Sequence, residues 1–115
     1  MHEFSLMQSV LDTVEQTARQ NGAKKVTAIR LVIGDMAAVM DDAMQFAFEV
    51  LSEDSPLFSG GSLTIDTVKP RSRCANCGAE FEHRSYQITC PHCGSLSTEL
   101  LAGREMYIDS IEVEE

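Results

Sequence analysis

Four cysteines fall in two pairs, Cys74/Cys77 and Cys90/Cys93, each pair separated by two residues and followed at once by Gly78 or Gly94. A two-residue spacer lets a tight turn aim both sulfurs of a pair at one point. Two such hooks supply the four soft thiolates that a tetrahedral Zn²⁺ takes at about 2.3 Å. A glycine after the second cysteine accepts a positive φ, which turns backbone N–H groups toward the sulfurs. The alternatives are two disulfides, which across such short spacers would rigidify little, and an iron–sulfur cluster. Zinc is the expected occupant. Four protein ligands leave no position open for water or substrate, so its expected role is structural.

The start of the chain, Met1-His2-Glu3, is the second group with metal chemistry. An amino-terminal amine, the amide nitrogen of His2 and its imidazole Nδ1 can close fused chelate rings around one ion, leaving room for a fourth donor near Glu3. A planar, nitrogen-rich set of this kind suits Ni²⁺ or Cu²⁺ far better than Zn²⁺ or Mg²⁺. The amide does not ionise unaided in neutral water, so the metal has to displace its proton. The large His2 side chain should discourage removal of Met1. Taken alone the tripeptide is a weak signal, because a histidine near a terminus is ordinarily solvated and Glu3 also suits the positive end of a first helix.

Other residues with donor atoms read more blandly. His92 lies inside the second hook, CPHC, where the turn should point its ring outward, and His83, beside Glu82 and Arg84, reads as a solvated loop side chain. Either could complete a nickel site if the hooks fold back over the terminus. Met36, Met40 and Met44 recur every four residues, but Gly34-Asp35 and Asp41-Asp42 interrupt the run, and core filling is their expected use. No nucleophile paired with a base, no phosphate loop and no catalytic carboxylate pair is recognisable, so an enzyme is not expected.

These candidates need a scaffold. A length of 115 residues allows one domain, or one small domain plus a metal-stapled appendage too short to bury its own core. Leu6, Met7, Val10, Leu11, Val14 and Ala18 form one helical stripe, stopped by Asn21-Gly22. Residues 26–33 alternate as a half-buried strand with Ile29, Leu31 and Ile33 on one face. Asp41 or Asp42 can cap a second helix running to about Ser52, apolar enough to pack deeply. Residues 62–68 read as a second strand and 104–113 as a third. The apolar phase of this last strand slips between Ile108 and Ile111, which implies a bulge or burial on both faces. The expected fold class is α+β, with two helices packed on a three-stranded sheet. Residues 1–70 with 97–115 form one domain, and a zinc module at 71–96 is inserted before the last strand.

Charge narrows the partners. The net charge is −9, distributed as +2 over residues 69–104 and −11 over the rest. An acidic body argues against binding a phosphate backbone. No run approaches the ~20 apolar residues of a membrane span, and MHEFSLMQSV has no signal-peptide pattern, so reduced thiols in the cytoplasm are expected.

The combined pattern resembles the HypA/HybF family of hydrogenase nickel-incorporation proteins. The matching stretches are MHEFSL, LVIGDMAAV, MQFAFEVLSEDSPLFSGGSLTI, the hooks CANC and CPHC, and STELLAGREMYIDSIEVEE, which together cover essentially the whole chain. The resemblance implies a nickel metallochaperone and not an enzyme. His2 would be the nickel ligand, assisted by Met1 and Glu3 through amine and amide nitrogens, while Cys74, Cys77, Cys90 and Cys93 hold structural zinc. Phe4 stands where many members carry another aromatic residue. The implied partners are a nickel-binding maturation GTPase, the large subunit of nickel–iron hydrogenase and, in some bacteria, urease accessory proteins. Both monomer and homodimer remain open. The alternative is a zinc-ribbon module that binds protein or nucleic acid, supported by the basic tilt of residues 69–104, with Phe81 and Tyr86 as its few aromatics.

Overall fold

A computed structural model of the chain describes residues 2–84 and 89–115, so the readings placed on Met1 and Tyr86 lie outside the described residues. The elements follow in the order α1 (Glu3–Gln20), β1 (Lys25–Gly34), a single 3₁₀ turn (Asp35–Ala37), α2 (Asp41–Ser52), β2 (Ser62–Val68), β3 (Arg71–Cys74), β4 (Glu80–Glu82), β5 (Thr98–Ala102) and β6 (Met106–Glu114). Two three-stranded sheets result, with orders β2-β1-β6 and β4-β3-β5. The α+β class expected from the sequence holds. The second sheet is additional to that expectation.

The chain divides into two compact units. The first comprises residues 1–31, 39–66 and 107–115, and the second residues 32–38 and 67–106. In the first, α1 buries Met7, Leu11, Val14 and Ala18, a spacing of four, three and four that keeps one stripe inward. The helix ends as the sequence predicts. Ala23 N–H reaches the Ala18 carbonyl and Gly22 N–H the Arg19 carbonyl, the paired bonds of a Schellman stop. β1 is the central strand of its sheet, and its buried run from Leu31 to Gly34 replaces the expected alternation.

α2 departs from expectation at both its start and its outer face. Its cap is Met40, whose side chain makes no cap bond; Asp41 and Asp42 lie in the first turn, where their charge complements the positive helix end. Met44, Ala47 and Phe48 are buried, but Phe46 is 58% exposed, Val50 44% and Met40 66%, so the helix does not pack deeply all round. Core filling holds for Met44 and fails for Met40. The last strand also differs: β6 has no buried residue, only half-buried Ile108 and Ile111, which excludes burial on both faces and fits an edge position.

In the second unit β3 alternates, with Ser72 and Cys74 inward and Arg71 and Arg73 outward. It pairs antiparallel with β4, Ser72 opposite Phe81, and with β5, Cys74 opposite Thr98. The outward arginines meet carboxylates, Arg71 with Glu80 at 2.7 Å and Arg73 with Glu99 at 2.9 Å. Half-exposed pairs of this kind contribute little stability, so the sheet needs another source of cohesion.

Backbones within this unit also pass at very close range. Gly34 N–H donates to the Glu105 carbonyl at 2.7 Å and Met36 N–H to the Gly103 carbonyl at 2.9 Å. A Cβ on Gly34 would collide with the Gly103 carbonyl and lie 2.7 Å from Arg104 N. Gly103, at φ 126°, is also closely approached, its Cβ position 2.9 Å from Pro70 Cα, and its N–H is held by the Glu105 carboxylate at 2.8 Å. Gly34→Ala therefore forces these backbones apart, and a loss of about 1–3 kcal/mol is expected. Denaturant unfolding of the metal-loaded protein should show a lower midpoint, and an unchanged midpoint would refute the close approach.

Candidate functional site

The two cysteine hooks are near copies of one another. In the first, Gly78 N–H bonds the Cys74 carbonyl and Cys74 N–H the Ala79 carbonyl; in the second, Gly94 N–H bonds the Cys90 carbonyl and Cys90 N–H the Ser95 carbonyl, all at 2.9 Å. Gly78 and Gly94 take φ 77° and 76°, which lets the chain double back right after the second cysteine of each pair. The four sulfurs converge within 4.8 Å of one another. Across the hooks Cys74 and Cys93 are 3.6 Å apart, and Cys77 and Cys90 3.7 Å.

Those distances test what the cage can hold. A regular tetrahedron of sulfurs around one ion at about 2.3 Å has edges of about 3.8 Å, and the two measured edges fall just short of it. All four cysteines are free, so the disulfide alternative is excluded. An iron–sulfur cluster binds thiolates to different irons and spreads its sulfurs further apart, so the cage fits a single ion. Cys77 N–H points at Cys74 Sγ and His92 N–H at Cys90 Sγ, both at 3.4 Å, while Asn76 Nδ2 reaches Cys93 Sγ at 3.7 Å. Such donors stabilise thiolate charge. The Asn76 contact crosses from one hook to the other and was not read from the sequence, although a side-chain amide inside C-A-N-C is the clue to it.

The four thiols do not hold their protons equally. The Cys77 N–H and, less strongly, the Asn76 N–H pull the Cys74 thiol down to about 6, against desolvation. At Cys77 the Ala79 N–H acts in the same lowering sense, yet desolvation and the neighbouring Cys90, Cys93 and Cys74 sulfurs push the thiol up to about 11. A metal ion entering the cage therefore releases protons as it binds.

Of the two further histidines, His92 is exposed, as expected. His83 is not simply solvated: its Nε2 lies 2.7 Å from Ser72 Oγ, its Nδ1 2.6 Å from the Arg84 carbonyl, and its ring 5.6 Å from that of Phe81. With Nδ1–H donating to the carbonyl, Nε2 accepts from the Ser72 hydroxyl. The ring thereby fastens the end of β4 to inward-facing Ser72 of β3.

At the other candidate site, His2 is exposed and caps α1 with its backbone, the His2 carbonyl accepting from Leu6 N–H at 3.0 Å, while its imidazole makes no cap bond. Glu3 is half-buried, and its carboxylate accepts the Met40 N–H at 3.1 Å. That bond, followed by one from its own N–H, lowers the Glu3 pKa below the ordinary carboxylate value. Glu3 thus ties the head of α1 to the head of α2.

The fold and the cage define a small α+β metal-binding protein with a four-cysteine site. A family described as hydrogenase/urease nickel incorporation, metallochaperone, HypA, matches residues 1–113. The hydrogenase maturation factor HypA of Geobacter metallireducens is 40% identical over 114 residues, covering 99% of this chain and all of its own. That of Aquifex aeolicus is 36% identical, covering 99% and 98%. Among solved structures, the Ni metallochaperone HypA from Helicobacter pylori superposes with a TM-score of 0.68 at 28% identity, covering 99% of this chain and 98% of that one. The chain belongs to the HypA family of hydrogenase/urease nickel-incorporation metallochaperones. Among the described residues, no helix is long and apolar enough to cross a membrane.

The cage should carry the second unit's stability, since structural zinc in small modules is worth about 10–16 kcal/mol in apparent binding free energy. In Cys90→Ala the bound ion is expected to be lost and the amides of residues 71–82 and 98–102 to exchange rapidly, with α1 and α2 still protected. Native mass spectrometry with hydrogen exchange reads both. Protection of β3–β5 without metal would contradict the assignment.

Proposed function

We propose that the chain binds Ni²⁺ at its amino terminus and delivers it for maturation of nickel–iron hydrogenase, with urease as a further acceptor, while Zn²⁺ in the Cys74/Cys77/Cys90/Cys93 cage is structural. The observation that carries this reading is the exposed His2 imidazole, making no cap bond at the head of α1, in a chain matched from residue 1 by a nickel-incorporation family. His2 offers Nδ1 and an amide nitrogen, Met1 its amine, and Glu3 a further amide nitrogen. The first N–H groups of a helix have no carbonyl partner within it, and Glu3 is the first residue of α1, so displacing its proton breaks no helical bond. Planar nitrogen ligation of this kind favours Ni²⁺ over Zn²⁺, whereas the thiolate tetrahedron favours Zn²⁺. The two metals are thus sorted by ligand type.

The division of labour follows the chain. The unit of residues 1–31, 39–66 and 107–115 carries the nickel terminus, and the unit of residues 32–38 and 67–106 the zinc cage. The partners are a nickel-binding maturation GTPase, the hydrogenase large subunit and urease accessory proteins, and the setting is the cytoplasm. A surface chelate suits transfer because an acceptor's ligands can replace amine, amide and imidazole one at a time. Nothing in this scheme requires the chain to act as an enzyme. The zinc-ribbon alternative keeps the net +2 of residues 69–104, but two of the five basic residues there, Arg71 and Arg73, are paired with Glu80 and Glu99.

Native mass spectrometry of the untagged chain with added Ni²⁺ tests the assignment. Wild type is expected to hold one zinc and one nickel, and His2→Ala to retain zinc and lose nickel binding by at least about 100-fold in affinity. Equal nickel uptake by both would remove His2 from the site.

A further inference from the structure

We infer that the exposed apolar face formed by Phe4, Met40, Phe46 and Val50 docks an amphipathic segment of a partner protein, one whose apolar residues are flanked by lysines or arginines. We infer also that this partner is the one to which the metal passes. This second half rests on the amino-terminal nickel site proposed above. Phe4 is 42% exposed, Met40 66%, Phe46 58% and Val50 44%, and all four lie in the first unit. Phe4 of α1 meets Phe46 of α2 edge to face, centroids 6.0 Å apart, so the two helices present one continuous surface. Val50 follows Phe46 by one turn. Beside them runs a groove of about 760 Å³ lined by Phe46, Glu49, Val50, Glu53, Ser59 and Leu63. Contiguous apolar surface with a polar rim is what protein-binding sites expose.

The rim names the occupant's charge. No Lys or Arg occurs between Arg30 and Lys69, or before Arg19, and Asp41, Asp42, Glu49 and Glu53 are exposed along α2. A basic side chain does approach the far end of the groove, where Lys25 Nζ stands 3.9 Å from the Cβ position of Gly60. Every other charged group named here is a carboxylate. A second copy of the chain would bring the same carboxylates against them, with a net charge of −9 on each partner. Anionic membranes and nucleic acids are repelled for the same reason. A protein segment with apolar anchors and a cationic rim is complementary in both respects.

Placement connects the face to the metal. Phe4 follows His2 by two residues, and the Glu3 carboxylate holds Met40 N–H, so the face and the terminus share a backbone and a hydrogen bond. A partner seated on Phe4 and Met40 brings its own ligands to the chelate, where the ion can change hands without dissociating into water. Phe46 and Glu49 are surface side chains, so replacing them does not empty the core.

Binding of the zinc-loaded, nickel-loaded chain to the purified maturation GTPase and to the hydrogenase large subunit of the same organism tests this. Phe46→Ser, and separately Glu49→Lys with Glu53→Lys, should each weaken binding to one of them by at least about tenfold while nickel stoichiometry stays at wild type. Charge reversal at Glu114 and Glu115, an equal change elsewhere, should leave affinity unaltered. Wild-type affinity should fall with added salt, and the Glu49/Glu53 variant should lose most of that dependence. Face variants that bind like wild type, or a wild type that binds neither protein, overturn the proposal. So does a dimer that the face variants convert to monomer, which would make the second copy the occupant. A wild-type chain that takes up no nickel overturns the handover and the functional reading together, and the mass spectrum separates that result from loss of docking.

Discussion

Convergence of four sulfurs on one point is the constraint that the smaller unit depends on. Within it, Cys74, Phe81 and Cys90 form a buried apolar cluster, and two of those three side chains are metal ligands. A cluster of that size cannot offset the conformational entropy of ordering β3, β4 and β5. An ion bound to the four thiolates would join the two hooks where a larger domain would use a core. The hooks can therefore be short and solvent-facing, with Cys77 and Cys93 exposed. The same economy removes chemistry from the cage, since a coordinatively complete ion has no position for cargo or substrate.

In the proposed function, cargo chemistry falls to the other unit. There the proposed ligands come from a helix start, where backbone nitrogens are not yet committed to helical bonds. Glu3 contributes its side chain to structure, through Met40 N–H, and its backbone to the proposed chelate. A carboxylate that positions the terminus without competing for a soft, planar ion leaves the ligand field to nitrogen. Exposed Phe4 and Phe46 continue from that point, so the proposed chelate and the apolar face share the head of α1.

What the sequence made legible was what local rules decide. The 4-3-4 spacing of Met7, Leu11, Val14 and Ala18 reports one helix face, Asn21-Gly22 reports its stop, and the hooks report their own turns through Gly78 and Gly94. β5 is not legible in the sequence because Thr98–Ala102 has no distinctive pattern; its pairing comes from β3, with a register shift between Arg71 and Ser72. The cap of α2 escapes local rules for a related reason, since Met40 caps without a side-chain acceptor and its N–H is met by a residue 37 positions away. The exposure of Phe46 and Val50 is not legible in the sequence, because composition counts apolar residues and does not say which of them find a neighbour. His83 likewise looked solvated until Ser72 was placed opposite Phe81.

Sorting of two metals by two ligand chemistries is the central claim, and X-ray absorption on the doubly loaded protein tests it most directly. At the zinc edge the expected first shell is sulfur alone, four neighbours at about 2.3 Å. At the nickel edge the expected shell is nitrogen and oxygen, with no sulfur and the pre-edge of a planar ion. Sulfur neighbours around nickel, or nitrogen in place of sulfur around zinc, would contradict it.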